Sequence, residues 1–181
     1  MNNNNKKPYE IDSEIYQAII VALSDDAIFS ITDEKGNIIY ANQKFTDISQ
    51  YSLDELVGQN HRMLKSGHQP QEMFVGLWQT ISSGRVWHGE LKNRAKDGTY
   101  YWVEATIIPV FDSKGKIVNY AALRIIINDK KEIEEKNKKY LENLEKINKI
   151  TVDREMKMIE LKKEIEILKA DLAKKSMSGK I

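Results

Sequence analysis

The chain has 181 residues with 28 basic and 27 acidic side chains, a formal charge of +1, and no cysteine. The missing cysteine excludes disulfides, Cys-ligated zinc, iron–sulfur clusters and a thiol nucleophile, and the balanced charge argues against a nucleic-acid partner. No run approaches the roughly 18 apolar residues of a membrane span, and no hydrophobic stretch follows the Asn- and Lys-rich start, so neither membrane contact nor a signal peptide is expected.

Composition divides the chain. Fourteen of 15 aromatic residues and eight of nine glycines lie in residues 1–128, whereas the last 53 residues hold 15 Lys or Arg, 12 Asp or Glu and one aromatic. Residues 1–10 read as a flexible polar arm. Ile11, Ile15, Ile19, Ile20 and Leu23 recur at helical spacing and predict an amphipathic helix over 11–24. Ala27 to Asp33 and Ile38 to Ala41 read as a hairpin around the turn at Gly36. Asn42 is placed to cap a helix through Ser49, and Ser52 with Glu55 has the spacing of a capping box. A longer helix begins at Pro70 and Gln71, presents Met73, Phe74, Leu77, Trp78 and Ile81 as its buried face, and ends at Gly84. Three strands follow: Val86 to Asn93, Thr99 to Val110 and Ile117 to Ile127, with turns at Gly98 and Gly115 and an end or bulge at Pro109. Strand–strand, helices, then three strands predicts an α+β domain with a five-stranded antiparallel sheet and a helical cover.

Several separated motifs occur in the order of one known family. They are Ile31 to Asn42, Phe45 to Tyr51, Glu55 to Asn60, and Gly89 to Trp102, completed by Pro109 and the Gly115 turn. Over residues 25–128 the chain resembles the PAS sensor domains. That resemblance implies the PAS fold, a ligand pocket between sheet and helices, and a role in sensing rather than catalysis. Consistent with a non-enzyme, no local spacing of Ser, His and Asp suggests a nucleophile and base, and no metal site is expected.

Gly58 to Lys65 is similar to the flavin-binding segment of the LOV light sensors, with His61 where those carry their photoreactive cysteine. A cysteinyl–flavin adduct therefore cannot form, while reversible flavin binding is compatible with the sequence. The resemblance to PAS domains that sense redox state or direct aerotaxis implies FAD. It assigns Asn60, His61 and Arg62 to the ribityl and phosphate portion, and Trp87 and Asn93 to the ring. Asn93 matches one ring-contacting amide of the LOV sensors; Val103 stands where a second would be. From the residues alone, Asn60 also fits a turn cap, Arg62 a solvated surface group, Trp87 a core or rim residue, and Asn93 a cross-strand hydrogen bond. Two further readings are a cofactor-free PAS module for dimerisation and protein interaction, and a haem gas sensor using His61, His68 or His88.

Beyond Ile127, Asn128 or Asp129 can cap a helix, and neither Pro nor Gly interrupts the chain before Gly179. A heptad places Asn137, Leu144, Thr151, Met158, Ile165 and Leu172 at a, and Ile133, Tyr140, Ile147, Arg154, Leu161 and Leu168 at d. This predicts a parallel dimeric coiled coil over 129–175, softened at Thr151 and Arg154, with a flexible tail over 176–181. The run Val152 to Ile165 resembles linkers of bacterial histidine kinases and diguanylate cyclases, which implies a cytoplasmic signalling homodimer whose output kinase or cyclase domain belongs to a longer parent. At the exit from the domain, Ile126-Ile127-Asn128 replaces the family's usual Asp-Ile-Thr.

Overall fold

The computed structural model describes residues 26–178; the arm 1–10, the amphipathic segment 11–24 and residues 179–181 lie outside the described residues. Two compact units divide at Asp129 and Lys130.

The first unit is built on strands β1 (Ile28–Asp33), β2 (Ile38–Ala41), β3 (Trp87–Arg94), β4 (Tyr100–Phe111) and β5 (Ile117–Ile126). They form one sheet in the order β2-β1-β5-β4-β3, and every pairing is antiparallel. Helices α1 (Gln43–Ser49), α2 (Leu53–Leu56) and α3 (Gln71–Ser82), with a 3-10 turn at His61–Leu64, connect β2 to β3. The predicted α+β architecture is the observed one.

Local chemistry explains most of these elements. In the β1–β2 turn the Asp33 carboxylate accepts from the backbone N–H groups of Lys35 and Asn37 and from the Asn37 side-chain amide, while Gly36 takes φ 84°. Burial is the largest single influence on the Asp33 carboxyl and raises its pKa, but these bonds together with the Lys35 charge outweigh it and hold the group below its ordinary value. Asp112 repeats the arrangement before β5, accepting from Lys114 and Lys116. Asn42 ties α1 to the sheet: its side-chain oxygen accepts from the N–H groups of Phe45 and Phe29, and its amide donates to the Ala27 carbonyl. Ser52 and Glu55 form the expected capping box.

Packing then closes the core. Ile28, Ile38, Phe45, Leu56, Leu64, Leu91 and Val103 are buried together between the sheet's inner face and the helices, each worth about 1.5–3 kcal/mol relative to exposure. A second cluster joins Leu77 and Ile81 of α3 to Ile107, Tyr120 and Ala122.

Three details sharpen the expected picture. Trp78 is not part of the buried face of α3; it is 39% exposed, because its ring lies over Gly36 and edge-on to Tyr120 instead of under the helix. Pro109 sits buried within β4 opposite Tyr120, one residue before a register shift at Val110/Phe111, so an irregularity of the expected kind lies beside it while the strand itself runs on to Phe111. Asn128 ties the chain beyond β5 to β4. Its Oδ1 accepts from the Trp102 backbone N–H at 2.7 Å, while the Ile127 N–H donates to the Trp102 carbonyl at 2.9 Å.

The second unit is helical, within α4 (Asn128–Ser178). Glu132 with Lys136 and Glu135 with Lys139 form i,i+4 ion pairs along it, each worth only a few tenths of a kcal/mol. Ile133, Tyr140, Leu144, Ile147, Met158, Leu161, Ile165, Leu168 and Leu172, which the heptad reading puts at a and d, are all exposed on the single chain.

Candidate functional site

A cavity of about 540 Å³ lies between the sheet's inner face, the 3-10 turn and α3, within the roughly 300–1,000 Å³ range of small-molecule sites. Its wall is mainly apolar, with Phe74, Leu77 and Ile81 from α3 and Leu91, Ile107 and Ala122 from the strands. A few polar groups converge on it.

Foremost is Arg124, which enters the wall from β5. Period-two alternation turns Tyr120, Ala122 and Arg124 inward together, and Arg124 is 3% exposed. One guanidinium nitrogen donates to Ser30 Oγ at 2.9 Å, the Phe45 ring centre lies 5.9 Å away, and Nε has no hydrogen-bond partner. Among the described residues no carboxylate pairs with it. Burial lowers its pKa to about 10, with nearby Tyr101 opposing the shift, so it remains charged at neutral pH. A buried cation without a counter-ion is costly unless another group supplies negative charge or acceptor atoms.

His61 stands close by. Its residue is half-buried, but Nε2 is sealed from solvent and unpartnered, and its ring stacks on Phe45 at 5.5 Å. Burial first, then repulsion from Arg124, drives its pKa well below 6.5, so the ring is neutral at pH 7. Its backbone N–H donates to the Gly36 carbonyl at 2.9 Å, which fixes the 3-10 turn against the β1–β2 turn. Asn93 is buried on β3 within the cavity wall, opposite Tyr101 on β4. The Tyr101 hydroxyl faces the Asn93 amide, yet it lacks a hydrogen-bond partner of good geometry. Burial pushes this phenol up to about 12, moderated by Arg124 and Asn93.

The five residues expected at the site separate into groups. Asn60, His61, Arg62 and Asn93 all line the cavity, and Trp87 does not. The Asn60 side chain is committed to local structure: its oxygen accepts from Arg62 N and Arg62 Nε, and its amide donates to Lys35 O and Asn37 Oδ1. Arg62 is exposed at the mouth, where Lys65 sits with its ammonium 3.9 Å from the Phe74 ring centre. Trp87 packs against both core clusters and lies across Gly89, where any Cβ would fall 2.5 Å from its ring. Of the other histidines, His88 meets Thr106 Oγ1 at 2.9 Å, and His68 rests edge-on against Trp102.

Sequence reasoning missed Arg124. The available signal was its place in β5, two residues beyond inward-facing Ala122 in an otherwise apolar alternation, which is where a charge requires a reason.

A family model for the PAS domain matches residues 25–132. The aerotaxis receptor of Escherichia coli (strain K12) is 39% identical over 108 residues, covering 59% of this chain and 21% of that protein. The nitrogen fixation regulatory protein of Klebsiella pneumoniae is 35% identical over 118 residues, or 65% of this chain and 24% of that protein. This chain thus spans about a quarter or less of these relatives' length. Among solved structures, the dark structure of the blue-light photoreceptor Aureochrome1 LOV superposes with a TM-score of 0.57 at 27% identity, covering 74% of this chain and 96% of that one.

Proposed function

Because this chain belongs to the PAS domain family, a group of non-catalytic signal-sensing modules, we propose that it senses redox state or oxygen through FAD held in the cavity. The single observation that carries this reading is Arg124, a sealed guanidinium with an unpaired Nε on the wall of a 540 Å³ cavity. The residues fit a flavin. Arg124, His61 and Asn93 offer donors and mixed amide chemistry at the sealed inner wall, and Arg62 and Lys65 supply positive charge at the mouth for phosphate groups. Flavin supplies reversible electron and proton uptake. Arg124 would hold the electron-rich edge of the ring, neutral His61 would exchange a hydrogen bond there, and Asn93 would orient it. Trp87 stands behind the wall, where it supports β3. Similarity to an aerotaxis receptor and a nitrogen fixation regulator favours a redox signal over light.

Output would pass to α4. We infer a parallel homodimer through the a and d residues, in the cytoplasm, with a kinase or cyclase domain in a longer parent. Among the described residues, no helix is long and apolar enough to cross a membrane. The unpartnered seam equally supports a second reading, a cofactor-free dimerisation module. His61 Nε2 gives the third reading, haem, a single candidate nitrogen.

An absorption spectrum of freshly purified protein tests the proposal. Bands near about 370 and 450 nm are expected for flavin. A single strong band near about 400 nm would assign haem instead. A colourless protein that takes up no added FAD would leave the dimerisation reading standing.

A further inference from the structure

Three of the four buried side-chain polar atoms that lack a hydrogen-bond partner among the described residues belong to one neighbourhood: Arg124 Nε, His61 Nε2 and the Tyr101 hydroxyl. His61 and Arg124 flank the Phe45 ring at 5.5 and 5.9 Å, and both His61 and Tyr101 feel the guanidinium charge. A group of unsatisfied atoms around a buried charge marks a place where a ligand supplies the missing partner. The lining shows what charge that ligand carries. No acidic side chain lines the cavity among the described residues. Of its other cations, Arg62 and Lys65 are exposed at the mouth, and Lys92 lays its ammonium over the Tyr100 and Trp102 rings. The His61 ring is neutral, and the Tyr101 phenol, with a pKa pushed up to about 12, keeps its proton. The sealed end therefore offers one positive charge, which one negative charge balances.

Geometry selects the anion. Arg124 donates through Nη1 to Ser30 Oγ, so the donor edge left over is Nε with Nη2, the parallel pair that a planar carboxylate accepts with its two oxygens. Beyond that head the wall is apolar, with Phe74, Leu77, Ile81, Leu91 and Ile107, and the volume is about 540 Å³. A bare formate or acetate ion would leave most of this apolar surface wet. We propose that the cavity takes a monocarboxylate with an apolar body, its carboxylate on Nε and Nη2 of Arg124 and its body along α3. In a sealed site of low dielectric the charge-assisted pair is strong, and each buried methylene tightens binding about fourfold. Such an acid and a flavin ring compete for the same guanidinium, so the acid regulates cofactor loading. The claim rests on this cavity being the sensing site, as proposed above, and not on flavin being its ligand.

Isothermal calorimetry on the full-length, flavin-free chain tests this with sodium butanoate, hexanoate and octanoate, and with octanol as the uncharged control. Binding that tightens about fourfold per added methylene is expected, with octanol about tenfold or more weaker than octanoate. Arg124→Met should remove the preference for octanoate over octanol. Arg124→Lys, which keeps the charge but not the fork, should restore part of it. Circular-dichroism melting establishes that both variants are folded. The parent chain gives a second measurement. It has five arginines, and in an arginine-selective nitrogen–proton spectrum the Nε–H signal missing from Arg124→Met should shift on adding octanoate while the other four stay. Octanol binding as tightly as octanoate, or octanoate binding unaffected by Arg124→Met, would overturn the proposal. So would the absence of binding heat together with an unmoved Nε–H signal, even in a chain that takes up FAD. Octanoate uptake by a chain that refuses FAD would uphold it and remove the flavin reading alone.

Discussion

Arg124 and Ser30 share a 2.9 Å hydrogen bond inside the sheet although 94 positions separate them in sequence. Antiparallel pairing of β1 with β5 sets Ser30 opposite Ala122 and Ile28 opposite Arg124, which makes the two side chains diagonal neighbours on the inner face. The hydroxyl satisfies one guanidinium nitrogen and leaves Nε unpartnered. An incompletely satisfied buried cation is a liability to the empty fold and an asset once an acceptor-rich ligand arrives.

Arg124→Met should therefore act in opposite directions on stability and binding. Replacing a buried, incompletely satisfied charge with an apolar side chain of similar length is expected to stabilise the ligand-free domain by about 1–4 kcal/mol. The same substitution should abolish flavin retention. Denaturant unfolding of the apoprotein and the absorbance of the purified variant read the two effects separately. A variant less stable than the parent would show that the Ser30 hydrogen bond and the Phe45 contact outweigh desolvation.

His61 should make the fold acid-sensitive. Its native pKa is depressed well below 6.5 by burial and by Arg124, so the unfolded chain binds a proton more readily than the folded one. Its contribution is intact above pH 6.5 and declines as pH falls toward the native pKa, by up to about 1.4 kcal/mol per pH unit. His61→Phe should flatten that part of the profile, measured by urea unfolding between pH 7 and pH 5. An unchanged slope would mean that His61 is not the group responsible.

Gly89→Ala tests how Trp87 is seated. A Cβ at position 89 would meet two atoms of the Trp87 ring at 2.5 Å, so either the ring or the strand must move. Overpacking of this kind costs about 1–3 kcal/mol. The variant should melt earlier and show shifted tryptophan emission while retaining flavin, because Trp87 lies outside the cavity wall. Loss of flavin would place Trp87 nearer the ligand than its packing suggests.

The exposed seam of α4 predicts a dimer. Light scattering should give about twice the 20.9 kDa chain mass. Arg154 occupies a d position, and Arg154→Leu should raise the dimer's stability by about 1.5–3 kcal/mol as a buried leucine replaces a charge. A monomer at high concentration would refute the coiled coil, and an unchanged melting temperature would place Arg154 outside the seam.

Asn128→Ala should loosen the junction between β4 and the start of α4. The bond from Trp102 N–H is solvent-exposed, so the loss is expected near about 0.5–1.5 kcal/mol. Faster amide exchange at Trp102, with the remainder of β4 unaffected, is the observable.

The sequence by itself determined the order of elements, because the chemistry that starts and stops them is local. Asp33 with Gly36, Asn42 with Phe45, and Ser52 with Glu55 each act over three residues, and alternation along β4 and β5 follows from the strand repeat. Asn60, His61, Arg62 and Asn93, which line the cavity, could be singled out because the first three are adjacent and Asn93 is a polar residue on an inward strand position. What each one does was decided only by the tertiary structure. Asn60 spends its amide on Lys35 and Asn37, more than twenty residues away; Trp78 leaves the helix's buried face because Gly36 offers a flat seat; and Arg124 becomes the central group only when β1, β4 and α1 shut water away from it. Hydrogen bonds between near neighbours can be read along a chain, whereas the cost of burying a charge depends on every segment that packs around it.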